Sequence, residues 1–144
     1  MRKNQSLCKQ IKSDKFSNQD YSIEIKPKHK MNKFDFNNKR FALIQNSENG
    51  QVNTETIFNY KQDNNLVTAD YFGGSIKYGK IIAELKDDKL NMLYQCLTTD
   101  NELKAGKALA QIELTENGKI KLSLDWEWLT NGSEKGKSEY IEIE

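Results

Sequence analysis

The chain is short of the residues that most often carry chemistry. Among its 144 residues there are one histidine, His29, and two cysteines, Cys8 and Cys96. Two cysteines so far apart make neither a disulfide framework nor a paired metal-binding motif, so Cys8 reads as an exposed thiol and Cys96 as a small buried core residue. A lone histidine near the N-terminus leaves the rest of the chain without a Ser-His or Cys-His arrangement. Long apolar runs are missing too. None approaches the ~18 residues of a membrane helix, and the basic N-terminus is not followed by the apolar segment of a secretory signal, which also removes support from a lipoprotein site at Leu7-Cys8. The expectation is a cytoplasmic protein with no membrane partner. Net charge is nearly absent, at +1 from 22 basic and 21 acidic residues, so no global field favours nucleic acid.

The charge is unevenly spread. Residues 1–30 hold eight basic and three acidic residues, and the remainder is mildly acidic. This leader is mostly Lys, Asn, Gln, Ser and Asp, and its apolar residues are too sparse to offset the entropy of ordering, which predicts disorder. Within it, Gln5 to Lys15 could form a weak helix and Tyr21 to Ile25 a short strand. The folded domain is expected over 31–144.

What the chain has in quantity is alternation. From Lys119 to Trp128 every even position is apolar (Ile120, Leu122, Leu124, Trp126, Trp128) and every odd one is Lys, Ser, Asp or Glu. Side chains of a strand alternate between faces, so these ten residues form a ribbon roughly 33 Å long, dry on one side. The same period recurs from Phe34 onward. Strands are predicted at Lys39–Gln45, Thr54–Gln62, Leu66–Phe72, Ser75–Lys86, Leu90–Leu97, Gly106–Leu114, Lys119–Trp128 and Lys137–Ile143. Asp63-Asn-Asn65, Gly73-Gly74, Asp87-Asp88 and Asn117-Gly118 supply the turns, and Gly79 inside its strand predicts a bulge or bend. Short links between about eight strands imply an antiparallel up-and-down meander, and closing it into a barrel removes the two raw edges. The fold class is therefore all-β, a barrel of the size that either fills itself with side chains or holds one small molecule.

Asn46-Ser-Glu-Asn-Gly50, Thr54-Glu-Thr-Ile-Phe-Asn-Tyr60, Ala69-Asp-Tyr-Phe-Gly-Gly-Ser-Ile-Lys-Tyr-Gly-Lys-Ile-Ile82, Met92-Leu-Tyr-Gln95, Glu116-Asn-Gly-Lys119 and Trp126-Glu-Trp128 together resemble a family of small bacterial proteins with an avidin-like or calycin-like barrel, often labelled N-acetylglutamate synthase. The resemblance covers roughly 34–144. It implies an avidin-like barrel and, through the label, an acetyltransferase. The residues give that label little support. The glycine pair at 73 and 74 sits between strands rather than before a helix whose N-terminus would hold a pyrophosphate, and Asp70, Glu84, Asp125 and Glu127 fall on outer faces.

Binding is the remaining function. Inward Trp126 and Trp128 lie near the end of their strand. Thr56, Tyr60, Tyr71 and Tyr94 add hydroxyls, and Asn46 with Ser47 begins the loop after the first long strand. Apolar walls with a few polar groups suit a small molecule, and in avidin-like barrels a loop Asn or Ser, strand hydroxyls and Trp rings line the cavity, so the resemblance implies a similar pocket. No cofactor or metal is expected, and a homo-oligomer is not readable. The same rings would equally serve to fill the barrel, leaving an interaction module with a filled interior as the alternative.

Overall fold

A computed structural model describes residues 33–144, and the barrel unit spans Phe34–Glu144. The expected leader, its short helix and strand, Cys8 and His29 lie outside the described residues. Eight strands follow one another: β1 (Lys39–Asn46), β2 (Ile57–Asp63), β3 (Leu66–Gly73), β4 (Ile76–Lys86), β5 (Lys89–Thr98), β6 (Leu103–Leu114), β7 (Ile120–Trp128) and β8 (Lys135–Ile143). Each pairs antiparallel with the next, and β8 pairs with β1 to close the barrel. The meander is thus the one expected, and closure leaves no edge strand.

The period-two pattern sorts inward from outward residues. Ile120, Leu122, Trp126 and Trp128 of β7 are buried, with Leu124 packed on the core beside them. On β5, Leu90, Met92 and Cys96 face the same interior. At the end where β1 starts and β2 finishes, the segment from Phe34 to Asn38 folds across the opening. Phe36, fully buried, sets its ring 5.9 Å from Phe41 and 5.5 Å from Tyr60, and its N–H donates to Gln62 Oε1 at 2.7 Å. This is the closed end. The opposite, mouth end carries the β1–β2 loop (47–56), the β3–β4 and β5–β6 turns, and the end of β7.

Several expectations change. The second strand starts at Ile57 rather than Thr54, because Asn53 to Thr56 forms a turn in which Thr56 N–H donates to Asn53 O at 3.0 Å and Glu55 N–H to Asn53 Oδ1 at 2.8 Å. Gly73 belongs to β3 and the turn falls on Gly74-Ser75. Gly73 has φ 114°, and a Cβ there would lie 2.3 Å from Glu55 O. The bulge expected around Gly79 sits immediately before it: Gly79 pairs in register with Tyr71, and the ladders shift between Ile76 and Gly79 on the β3 side and between Ile76 and Tyr78 on the β5 side, where the inward phase passes from even to odd positions. Gly79 is there because the Tyr71 ring lies across it, with Cζ 2.2 Å from where a Cβ would sit. Strands β6 and β8 also begin earlier than predicted, at Leu103 and Lys135.

Candidate functional site

At the mouth end, residues of every strand except β6, together with the β1–β2 loop, line a cavity of about 50 Å³. Its walls are mostly aromatic and aliphatic: Phe58, Tyr71, Ile81, Met92, Tyr94, Leu124, Trp126, Trp128 and Tyr140, with Cys96 between them. Elsewhere the interior is packed, with Phe36, Phe41, Leu90, Ile120 and Leu122 fully buried. A barrel of this size mostly fills itself, and the space that remains is at one end.

Cross-strand pairs explain how so many rings share one end. Tyr71 faces Gly79, Tyr94 faces Gly106, and Trp126 faces Gly136. A Cβ at each glycine would come within 2.2 to 2.6 Å of the ring opposite. The missing side chain lets each ring lie flat against the neighbouring strand. Trp128 then stands edge-on to Tyr94, centroids 5.5 Å apart, and 6.1 Å from Trp126, geometries that suit the ring quadrupoles. Phe58 stacks on Tyr71 at 4.7 Å.

The β1–β2 loop covers the opening and is pinned around its length. Ser47 exchanges hydrogen bonds with Lys137, its Oγ accepting from Lys137 N–H at 2.8 Å. Asn46 Nδ2 donates to Val52 O at 2.9 Å. Gln51 Nε2 donates to Ser75 Oγ at 2.7 Å, Ser75 Oγ donates back to Gln51 O at 2.8 Å, and Lys104 Nζ donates to Gln51 Oε1 at 3.3 Å. Lys104 also places its ammonium 4.2 Å from the Trp128 ring centroid, a cation–π contact. Thr56 Oγ1 donates to Gly73 O at 2.9 Å and ties the loop's far end to β3.

The walls are electrically neutral. Burial pushes the Tyr71 and Tyr94 hydroxyls far above their ordinary titration range and raises the Cys96 thiol, so all three keep their protons at neutral pH. Tyr71 hydroxyl donates to Gln95 O at 3.4 Å and Tyr94 hydroxyl to Lys107 O at 3.3 Å. Two polar atoms among the lining residues have no partner. Asn46 Oδ1 and Trp128 Nε1 are both buried and form no hydrogen bond. The bond from Asn46 Nδ2 to Val52 O fixes which way that amide points, leaving its oxygen as the free atom.

Of the eight residues singled out from the sequence, Asn46, Tyr71, Tyr94, Trp126 and Trp128 meet at the cavity. Thr56 is spent on the loop. Ser47 stays on the rim. Tyr60, four residues from Thr56 on the same face, lies roughly 13 Å further along the strand, in the ring cluster of the closed end. Gly50, Gln51, Val52, Cys96 and Tyr140 line the cavity and were not anticipated. Val52 had a signal, being the one apolar residue between Ser47 and Glu55. Asp70, Asp125 and Glu127 are external as expected, paired with Lys80, Lys137 and Lys107. No group of three or more His, Cys, Asp or Glu side chains among the described residues is arranged to hold a metal ion.

A family model described as avidin-like protein matches residues 34–143. The chain belongs to the avidin-like family. The match spans the barrel from Phe34 through β8, so the loop and every wall of the cavity fall inside it. Comparison with curated proteins and with solved structures found no match.

Proposed function

We propose that this avidin-like barrel binds a small molecule at its mouth end, with Asn46, Tyr71, Tyr94, Trp126 and Trp128 among the contacting residues. The observation that carries this is the cavity itself: an aromatic-walled space under a pinned loop, at the one end of a barrel that is otherwise packed. A purely structural barrel would gain by closing that space, because a void forfeits the contacts of its lining atoms. At about 50 Å³ the cavity takes only part of a ligand of ordinary size. A larger molecule is therefore admitted by movement of the β1–β2 loop.

The test is a metabolite library that includes biotin, a small ligand of this family. A bound compound shifts tryptophan emission and raises the melting temperature, and it slows alkylation of Cys96 in a Cys8→Ser background. A broad library that moves none of the three overturns the proposal. Acetyltransferase activity rests on the family label alone, and formation of N-acetylglutamate from acetyl-CoA and glutamate by purified protein would establish it. A protein-docking role is favoured only by the exposed cross-strand neighbours Ile82 and Leu93 on the outer face.

A further inference from the structure

Three Asn-Gly pairs sit between strands of this barrel: Asn49-Gly50 in the β1–β2 loop, Asn117-Gly118 between β6 and β7, and Asn131-Gly132 between β7 and β8. Asparagine is chemically labile, and a following glycine exposes it most, because no side chain shields the glycine nitrogen from the carboxamide before it. The fold treats the three pairs differently. Gly50 N–H donates to Ser47 O at 3.0 Å and Gly118 N–H to Thr115 O at 2.9 Å, so both nitrogens are engaged. Asn49 is tied further, its Nδ2 donating to Lys135 O at 3.1 Å. Gly132 N–H has no partner among the described residues, and no backbone–backbone hydrogen bond holds Asn131 or Ser133 either. A Cβ at Gly132 would meet nothing within 4 Å, and both residues of the pair are exposed. The Asn131 side chain is held by one exposed bond, from Nδ2 to Glu102 Oε2 at 2.9 Å.

We propose that Asn131 is a site of spontaneous deamidation, and that the change unties the rim of the barrel mouth. The Gly132 nitrogen, having lost its proton to hydroxide, attacks Asn131 Cγ. The N–Cγ bond forms, the Cγ–Nδ2 bond breaks, and Nδ2 leaves as ammonia, giving a five-membered succinimide. Water then opens the ring at either carbonyl and yields aspartate or isoaspartate. The backbone rotation that brings nitrogen and Cγ together meets no backbone–backbone hydrogen bond from Thr130 to Ser133. The place gives the reaction its consequence. The bond from Asn131 to Glu102 joins the β7–β8 turn to the β5–β6 turn, and beside it Thr130 Oγ1 accepts from Ala105 N–H at 3.2 Å. Either product exchanges the Nδ2 donor for a carboxylate facing that of Glu102, so an attraction becomes a like-charge repulsion. Isoaspartate also adds a carbon to the main chain just after Trp128, whose ring lines the cavity.

The test ages the full-length protein in mildly alkaline buffer and follows the gain of about 1 Da at each pair by peptide mass mapping. Asn131 is expected to convert first, several-fold ahead of Asn117, with Asn49 last. In urea-unfolded chain the three convert at similar rates, since the fold is what distinguishes them. Asn117 or Asn49 keeping pace with Asn131 in folded protein overturns the assignment, as does a folded Asn131 that stays intact while the unfolded chain converts. Gly132→Ala, whose methyl meets open space, is expected to slow the reaction several-fold, and conversion at the parent rate overturns the route through the glycine nitrogen. For the rim, proton–nitrogen NMR resolves the indole N–H of Trp128, assigned with Trp128→Phe. A second Trp128 signal is expected to grow in step with conversion. In Asn131→Asp, the Ala105 N–H is expected to exchange with solvent several-fold faster than in the parent. A Trp128 signal that stays single, or an Ala105 exchange rate that does not change, overturns the untying.

Discussion

The two ends of the barrel are built from the same materials to opposite effect. At the closed end, Phe36, Phe41 and Tyr60 pack within 6 Å of one another, and the backbone of the entering segment finds partners on β2, with Asn38 N–H donating to Tyr60 O at 2.9 Å and Phe36 N–H to Gln62. At the mouth end rings are again numerous, yet they stand around a space, and two buried polar atoms of the residues lining it go unpaired. Aromatic content alone does not decide between a plug and a pocket. What decides is whether the covering segment contributes its own rings, as Phe34 and Phe36 do, or covers the rings with a polar loop that inserts a single valine.

That contrast can be broken most severely at the closed end. Phe36→Ala leaves a void among three rings and is expected to cost about 3–5 kcal/mol in urea unfolding, while folded protein keeps its binding at the mouth. A cost under about 1 kcal/mol would show that stability does not reside there. Next in size, Gly106→Ala puts a methyl where the Tyr94 ring lies, 2.6 Å from its atoms. It should cost about 1–3 kcal/mol and shift the Trp128 indole signal, because Tyr94 packs edge-on to Trp128. Gln51→Ala removes two of the hydrogen bonds that hold the loop over the mouth. The expected loss is about 1 kcal/mol with a several-fold faster alkylation of Cys96, and an unchanged rate would mean the loop is not the gate.

The smallest effect lies on the outer wall, away from both ends. Hydrogen bonds from the Tyr78 hydroxyl and Lys80 ammonium hold the Asp70 carboxyl below its ordinary range. A depressed carboxyl stabilises the folded state above its unfolded pKa, and that contribution is lost as pH falls through the folded value. Asp70→Asn should therefore lower stability by a few tenths of a kcal/mol at pH 7 and match the parent in strong acid. A deficit that persists in acid would point to packing instead.

The strands were legible because burial on one face imposes period two, and the sequence of β7 alternates without interruption from Ile120 to Trp128. Gly79 was read in part: the irregularity does fall beside it, but a glycine within a strand has two physical uses, to bend the chain or to make room, and whether the second applies depends on the residue across the ladder. Its neighbour in space is Tyr71, eight positions away in sequence. The mouth rings could be grouped from phase and position along their strands. Tyr60 and Thr56 could not be separated that way, since phase names the face and says little about the depth. The unpaired atoms of Asn46 and Trp128 have no signature in sequence at all, because a missing partner is a property of the assembled site.

Closure of the ladder between β8 and β1 also bears on how the molecule forms. Ser47 and Lys137, hydrogen-bonded across that seam, are ninety residues apart. The seam cannot form until the last strand is available, so until then β1 is an open template for strand pairing. Such non-local contacts put folding in the milliseconds-to-seconds range typical of all-β domains. The hazard they create is greatest during synthesis, when every strand except the last has left the ribosome.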